Sequence, residues 1–80
     1  MRRICLGIDP GLGRLGYGVA IEERSIIRAG EFGCITTEPG TPVEARILQI
    51  HEGLCPLIER TNPELLSVER LFFGKNSTTA

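Results

Sequence analysis

The sequence predicts an α/β domain: a three-stranded antiparallel meander, a crossover helix and a fourth strand parallel to the first. Three observations predict it. Residues 3–35 hold three apolar or alternating runs joined by short polar links, and short links favour antiparallel neighbours. Residues 41–61 open on helix-start signals and repeat apolar side chains at helical spacing. A last apolar run, residues 64–69, follows that helix, and a right-handed crossover would bring it beside strand one.

The bulk properties bound the size and class of the domain. The chain has 80 residues, enough for one small domain, and a chain of this size buries roughly 60–65% of its unfolded surface. A hydrophobic share of 41% with 5% aromatic residues suits a soluble segment with a modest core. The net charge is −1 and the cations are dispersed, so bulk charge points to neither nucleic acid nor acidic lipid. The first apolar run ends at Asp9, too short for a signal peptide or a membrane span. A cytoplasmic protein with no membrane partner is expected. Cys5, Cys34 and Cys55 have neither the spacing of a zinc site nor that of a disulfide framework. They are expected to be small buried hydrophobes in a reducing compartment.

Residues 3–9, Arg-Ile-Cys-Leu-Gly-Ile-Asp, read as a buried strand stopped by Pro10-Gly11. From 16 to 21 the chain alternates, with Tyr17, Val19 and Ile21 on one face and Gly16, Gly18 and Ala20 on the other, so strand two follows. Residues 22–25 are turn-like. Residues 26–35 form strand three, weakened by Gly30 and Gly33. Thr41 is placed as helix N-cap, Pro42 as first helical residue and Glu44 as partner in a Thr-x-x-Glu capping box. Ile47, Ile50, Leu54, Leu57 and Ile58 form the apolar stripe. Gly53 and Pro56 interrupt the helix, and a kink or tightened turn is expected because Pro56 has no N–H for the carbonyl of Glu52. The helix should end by Thr61, before Asn62-Pro63. After the fourth strand, residues 70–76 read as a loop and Ser77-Thr78-Thr79 as the opening turn of a second helix. The sequence is therefore expected to be an incomplete domain.

Asp9 closes strand one and Glu69 closes strand four. If those strands pair in parallel, their C-terminal ends lie about 4.8 Å apart, at the sheet edge where open α/β sheets bind ligands. Two carboxylates that close repel, so one takes a proton or a cation sits between them. Hard oxygen ligands with room for water and phosphate suit Mg²⁺ or Mn²⁺, a site able to support phosphodiester hydrolysis. Each acid alone has a simpler reading. Asp-Pro-Gly is a good β-turn sequence, and Glu69 alone reads as a solvated strand-end charge.

Gly11, Gly13 and Gly16 also spell G-x-G-x-x-G, but a dinucleotide loop needs a helix directly after the glycines. Here a strand follows, and that excludes it. The glycines either leave room over the carboxylates or allow close packing of a helix. Phe72 and Phe73 sit in a loop between Arg70 and Lys75. They either stack on an unpaired base while the cations hold phosphates, or pack into the core. His51 falls among polar helix positions, and Tyr17 shares the apolar face of strand two.

Gly-Ile-Asp-Pro-Gly closing strand one, Gly-Tyr-Gly opening strand two and Val-Glu-Arg-Leu-Phe-Phe-Gly-Lys-Asn after strand four resemble the N-terminal half of RuvC-type Holliday junction resolvases. The resemblance is specific at 7–18 and 68–76 and spans essentially the whole chain in element order. It implies an RNase H-like fold and a Mg²⁺-dependent endonuclease. Such an enzyme works as a homodimer and nicks two like-polarity strands of four-way junction DNA, leaving 5′-phosphate and 3′-hydroxyl ends. A branch-migration complex is its implied partner. Asp9 and Glu69 match the first two catalytic, metal-holding carboxylates, and Phe72 the loop aromatic that stacks on bases. Lys75 and Asn76 match the Lys-Asn leading into the next helix, and Arg70 joins them as a DNA-binding candidate. The family's further acids lie near the end of the protein, so these 80 residues alone are expected to be inactive. Positions 12–15, Leu-Gly-Arg-Leu, carry no hydroxyl, where some members have one.

The main alternative is a nucleotide-binding domain of the actin-like ATPase and sugar-kinase type, which shares the element order and the strand-end aspartate. Its turn usually offers a hydroxyl and free N–H groups to phosphate, whereas here Pro10 removes an N–H and no hydroxyl follows. The other bacterial resolvase family of this fold, the YqgF type, does not normally read Asp-Pro-Gly at this turn. A catalytically inactive nucleic-acid-binding module is the third reading, and retention of both acids counts against it.

Overall fold

The computed structural model describes residues 1–68. The sequence candidates Glu69, Arg70, Phe72, Lys75 and Asn76, and the second helix, lie outside the described residues. The elements run β1 (Arg2–Asp9), β2 (Arg14–Glu23), β3 (Ile26–Thr36), α1 (Val43–Thr61) and β4 (Leu65–Val68). They form one sheet in the order β3-β2-β1-β4. β1–β2 and β2–β3 are antiparallel and β1–β4 is parallel, as the sequence predicts.

The meander is longer than its sequence signal. Glu22 and Glu23 stay in register with Arg3 and Arg2 on one side and with Ile27 and Ile26 on the other, leaving only Arg24 and Ser25 for the turn. Both turn residues have positive φ, 53° and 67°, as in the mirror-image turns that suit the twist of a hairpin. Exposed pairs Arg3–Glu22 and Arg28–Glu23 flank that end. β3 carries a bulge: Gly18 pairs with Phe32 but Ala20 with Ala29, so Gly30 and Glu31 together oppose Val19. The extra residue resets the alternation of β3, so Phe32 and Cys34 share one face with Ala29.

α1 covers the other face. Leu6 and Ile8 of β1, Leu15 and Val19 of β2 and Leu57 of α1 form the buried core, with Ile50, Leu54, Tyr17 and Ile35 packed against it. The helical spacing of Ile50, Leu54 and Leu57 supplies this contact. Ile47 and Ile58, expected in the same stripe, are 56% and 43% exposed. They flank the face that meets the sheet, and among the described residues little packs on them. Gly53 is a point of close approach, because a Cβ there would sit 3.0 Å from the Ile35 side chain.

Two expectations at the helix need correction. The N-cap is Pro42, with no side-chain cap, and the first helical bond runs from the Arg46 N–H to the Pro42 carbonyl. The boundary lies one residue later than the sequence suggests, so Thr41 and Glu44 are out of phase for a capping box. α1 also runs uninterrupted through Pro56, since the loss of one backbone bond is tolerated where Leu54 and Leu57 anchor the flanking turns. The C-terminus follows expectation: Asn62 adopts left-handed φ/ψ of 45°/58° and donates its N–H to the Ile58 carbonyl.

The cysteines are all free, but Cys34 and Cys55 are exposed and only Cys5 is half-buried. The buried reading fails because Cys34 lies on the face away from α1, and Cys55 lies on the outer side of α1 beside His51, 3.5 Å from Nε2. No helix among the described residues is long and apolar enough to cross a membrane.

Candidate active site

Parallel pairing of β1 and β4 sets the position of the site. Ile8 is opposite Val68 and Gly7 opposite Ser67, so Asp9 lies at the C-terminal end of a parallel pair, as its sequence position suggested. Glu64 locks this register from the other end. Its N–H donates to the Ile4 carbonyl at 2.8 Å, and its Oε1 accepts the Ile4 N–H at 3.0 Å.

Period-two alternation sends Asp9 and Gly7 to the face opposite the core. Across the strands, Asp9, Gly16 and Cys34 form one row, and Ser67, Gly7, Gly18 and Phe32 the next. These side chains line an open depression of about 690 Å³ that also includes Arg14. Its floor is glycine, so little projects between Asp9 at one side and Phe32, 79% exposed, at the other. Gly16 and Gly18 face away from α1. Of the two sequence readings of the glycines, this placement favours open room over packing against that helix.

The loop after Asp9 is wider than a tight Pro-Gly turn, with residues 10–13 between the strands. A Cβ on Gly11 would collide with the backbone carbonyl of Arg14, so the loop tolerates only glycine there. Thr37, a buried polar residue, pins it. Its Oγ1 donates to the Leu12 carbonyl at 2.7 Å and its N–H to the Gly13 carbonyl at 3.0 Å. Sequence reasoning placed Thr37 in a plain loop, and no local signal marked it, since its partners lie 25 and 24 positions away in the chain.

Arg14, Phe32, Cys34 and Ser67 are the site-lining residues that the sequence did not single out. Arg14 Nε donates to Cys34 Sγ at 3.2 Å. That hydrogen bond, and then the charge interaction with Cys34, hold the Arg14 guanidinium above its ordinary pKa. Asp9 is exposed and has no ion-pair partner among the described residues. No group of three or more metal-ligating side chains occurs among the described residues, so Asp9 alone represents the candidate metal centre there.

On the opposite face, Glu31 accepts hydrogen bonds from Tyr17 Oη at 3.1 Å, Arg60 Nε at 3.1 Å and Arg60 Nη2. Arg60 is the main cause of a lowered Glu31 pKa, against some desolvation, while burial and then Glu31 push the Tyr17 hydroxyl up. This cluster ties α1 to the meander and lies apart from Asp9.

Residues 5–80 match the family described as "Crossover junction endodeoxyribonuclease RuvC". The chain belongs to the RuvC family. Relatives of that description include one from Brevibacillus brevis, 49% identical over 75 residues that make up 94% of this chain and 45% of the relative. Another, from Chloroflexus aggregans, is 45% identical over 94% of this chain and 46% of the relative. The chain thus spans about half the length of these relatives. Among solved structures, T. thermophilus RuvC in complex with Holliday junction substrate superposes with a TM-score of 0.77 at 30% identity, covering 91% of this chain and 45% of that one. The β-β-β-α-β arrangement is therefore the RNase H-like fold of this family. A Ppx/GppA family member from Aquifex aeolicus also superposes, with a TM-score of 0.64. At 18% identity that likeness shows the fold alone. The family match, not the fold, separates this chain from the nucleotide-binding alternative.

Proposed function

We propose that the full-length protein is a divalent-cation-dependent endonuclease that resolves four-way DNA junctions in recombination and repair, with residues 1–80 as the N-terminal part of its single nuclease domain. The observation that carries this reading is the exposed Asp9 carboxylate at the end of a parallel strand pair, over a glycine floor, in a chain of the RuvC family. Glu69 is the proposed second carboxylate. It follows Val68 as Asp9 follows Ile8, and Val68 and Ile8 are partners.

An exposed hard-oxygen donor beside an open depression fits Mg²⁺ or Mn²⁺. Asp9 and Glu69 would hold the ion, which when bound neutralises phosphate charge and makes water more acidic. In the hydrolysis, a water oxygen bonds to phosphorus, the P–O3′ bond breaks and a proton ends on the 3′ oxygen. The products are a 5′-phosphate and a 3′-hydroxyl. Asp9 would hold the ion on one side of the reacting phosphate, and the small side chains of β2 let the strand approach it. Phe72 is proposed to stack on an unpaired base, with Arg70, Lys75 and Asn76 on the backbone. A homodimer acting in the cytoplasm with a branch-migration complex completes the reading.

The test is cleavage of a synthetic four-way junction by the full-length protein, with Mg²⁺ and with chelator. Paired nicks that need the metal are expected. Asp9→Asn and Glu69→Gln should each lower the rate by at least about 100-fold, the scale for losing a charge-stabilising group, while junction binding persists. Cutting at the wild-type rate by either variant overturns the site. ATP hydrolysis without junction cleavage overturns the function.

A further inference from the structure

Arg14 follows a loop that offers no hydroxyl, yet it enters the same depression as Asp9. It lies on the open face of β2, two residues from Gly16, the partner of Asp9. Two residues of strand span roughly 7 Å, and neighbouring strands lie about 4.8 Å apart. Strand phosphates rise about 3.4 Å along a duplex axis, so an arginine at this spacing reaches a phosphate a few nucleotides or fewer from the one nearest Asp9. Arg3, Arg28 and Arg60 each lie within 4.0 Å of a glutamate, whereas Arg14, like Arg2, Arg24 and Arg46, makes no such pair among the described residues. Of these four it is the one that lines the depression. Its partner is the Cys34 sulfur, a weak acceptor that occupies one of five guanidinium donors. A phosphate oxygen is a better acceptor, and charge-assisted bonds from arginine to phosphate are among the strong ones.

We propose that Arg14 is a substrate-positioning residue that binds a backbone phosphate of the DNA strand lying across the Asp9 depression. Cys34 holds the guanidinium on that face until the strand arrives. This rests on the nuclease reading above, and its test separates the two. Junction binding by the full-length protein is measured by fluorescence anisotropy in chelator, across a salt series, for wild type, Arg14→Gln and Arg14→Lys. Arg14→Gln should weaken binding roughly 10- to 100-fold, as for loss of a charged hydrogen bond. It should also lower the slope of log affinity against log salt by about 0.9, one phosphate contact. Arg14→Lys should keep the slope and recover most of the affinity, and thermal unfolding should be unchanged for both. An unchanged slope and affinity in Arg14→Gln overturns the proposal. Equal loss in both variants together with a lower melting temperature also overturns it, because the role is then structural. If the wild type does not prefer a four-way junction to plain duplex, the junction reading fails, and the same slope comparison on duplex still decides whether Arg14 binds phosphate.

Discussion

On the α1 side of the sheet, β1 and β2 present Leu6, Ile8, Leu15 and Val19, which close against Leu57 into a dry core. On the other side, the alternate residues of the same two strands are Gly7, Asp9, Gly16 and Gly18, with the cation Arg14 at the end. The strands are shared, so backbone pairing stabilises both faces equally, and what differs is side-chain volume. The filled face contributes burial, about 1.5–3 kcal/mol for each large aliphatic side chain. The open face gives up that contribution and keeps a depression with charge at its rim. A single sheet can thus keep one face packed and the other open without one constraining the other.

Mutations that exchange the two roles test this division. Leu57→Ala should have the largest effect, lowering stability by about 2–5 kcal/mol in denaturant titration, as deletion of buried aliphatic volume does. A smaller loss than for an exposed residue such as Ile47 would show that the core is not where burial places it. Next, Gly18→Val adds volume to the open face, where a new Cβ meets only the Phe32 Cβ at 3.9 Å. Stability should change by less than about 1 kcal/mol, while junction cleavage by the full-length protein drops roughly 10- to 100-fold as the strand is held away from Asp9. Unchanged cleavage would mean that substrate does not cross this face.

The smallest effect is expected at the tether between α1 and the meander. Glu31 has a lowered carboxyl pKa, chiefly through Arg60, so its contribution is present above the ordinary value of 4.5 and is lost as pH falls below it. The difference in melting temperature between wild type and Glu31→Gln should be constant from about pH 8 to about pH 5 and close below that. A difference that grows on acidification would contradict the assignment of Arg60 and Tyr17 as partners of the carboxylate.

Much of this molecule was legible along the chain. Alternation in 16–21, the Asn62-Pro63 stop and the Asp9 strand end are local signals, carried by neighbours within four residues, and each appears where the sequence put it. Local signals also failed in instructive ways. Thr41 and Glu44 have the right spacing for a cap but the helix begins one residue late. Ile47, Ile58 and Cys55 have helical or apolar character, but which arc of α1 meets the sheet depends on where Gly53 lets it approach Ile35.

The site divides in the same way. Asp9 and its turn belong to the chain's local grammar. The row that joins it to Gly16 and Cys34, the Arg14–Cys34 bond and the Thr37 clamp on the loop do not. They arise from strand register and from a bulge at Gly30 and Glu31, which turns Phe32 and Cys34 toward the Asp9 face. Propensity acts over one turn of chain, whereas register and the contacts built on it join these residues, up to 25 positions apart, only after the sheet has formed. The sequence alone was therefore enough to place the carboxylate at a strand end, and folding chose the cation and the aromatic ring that share its face.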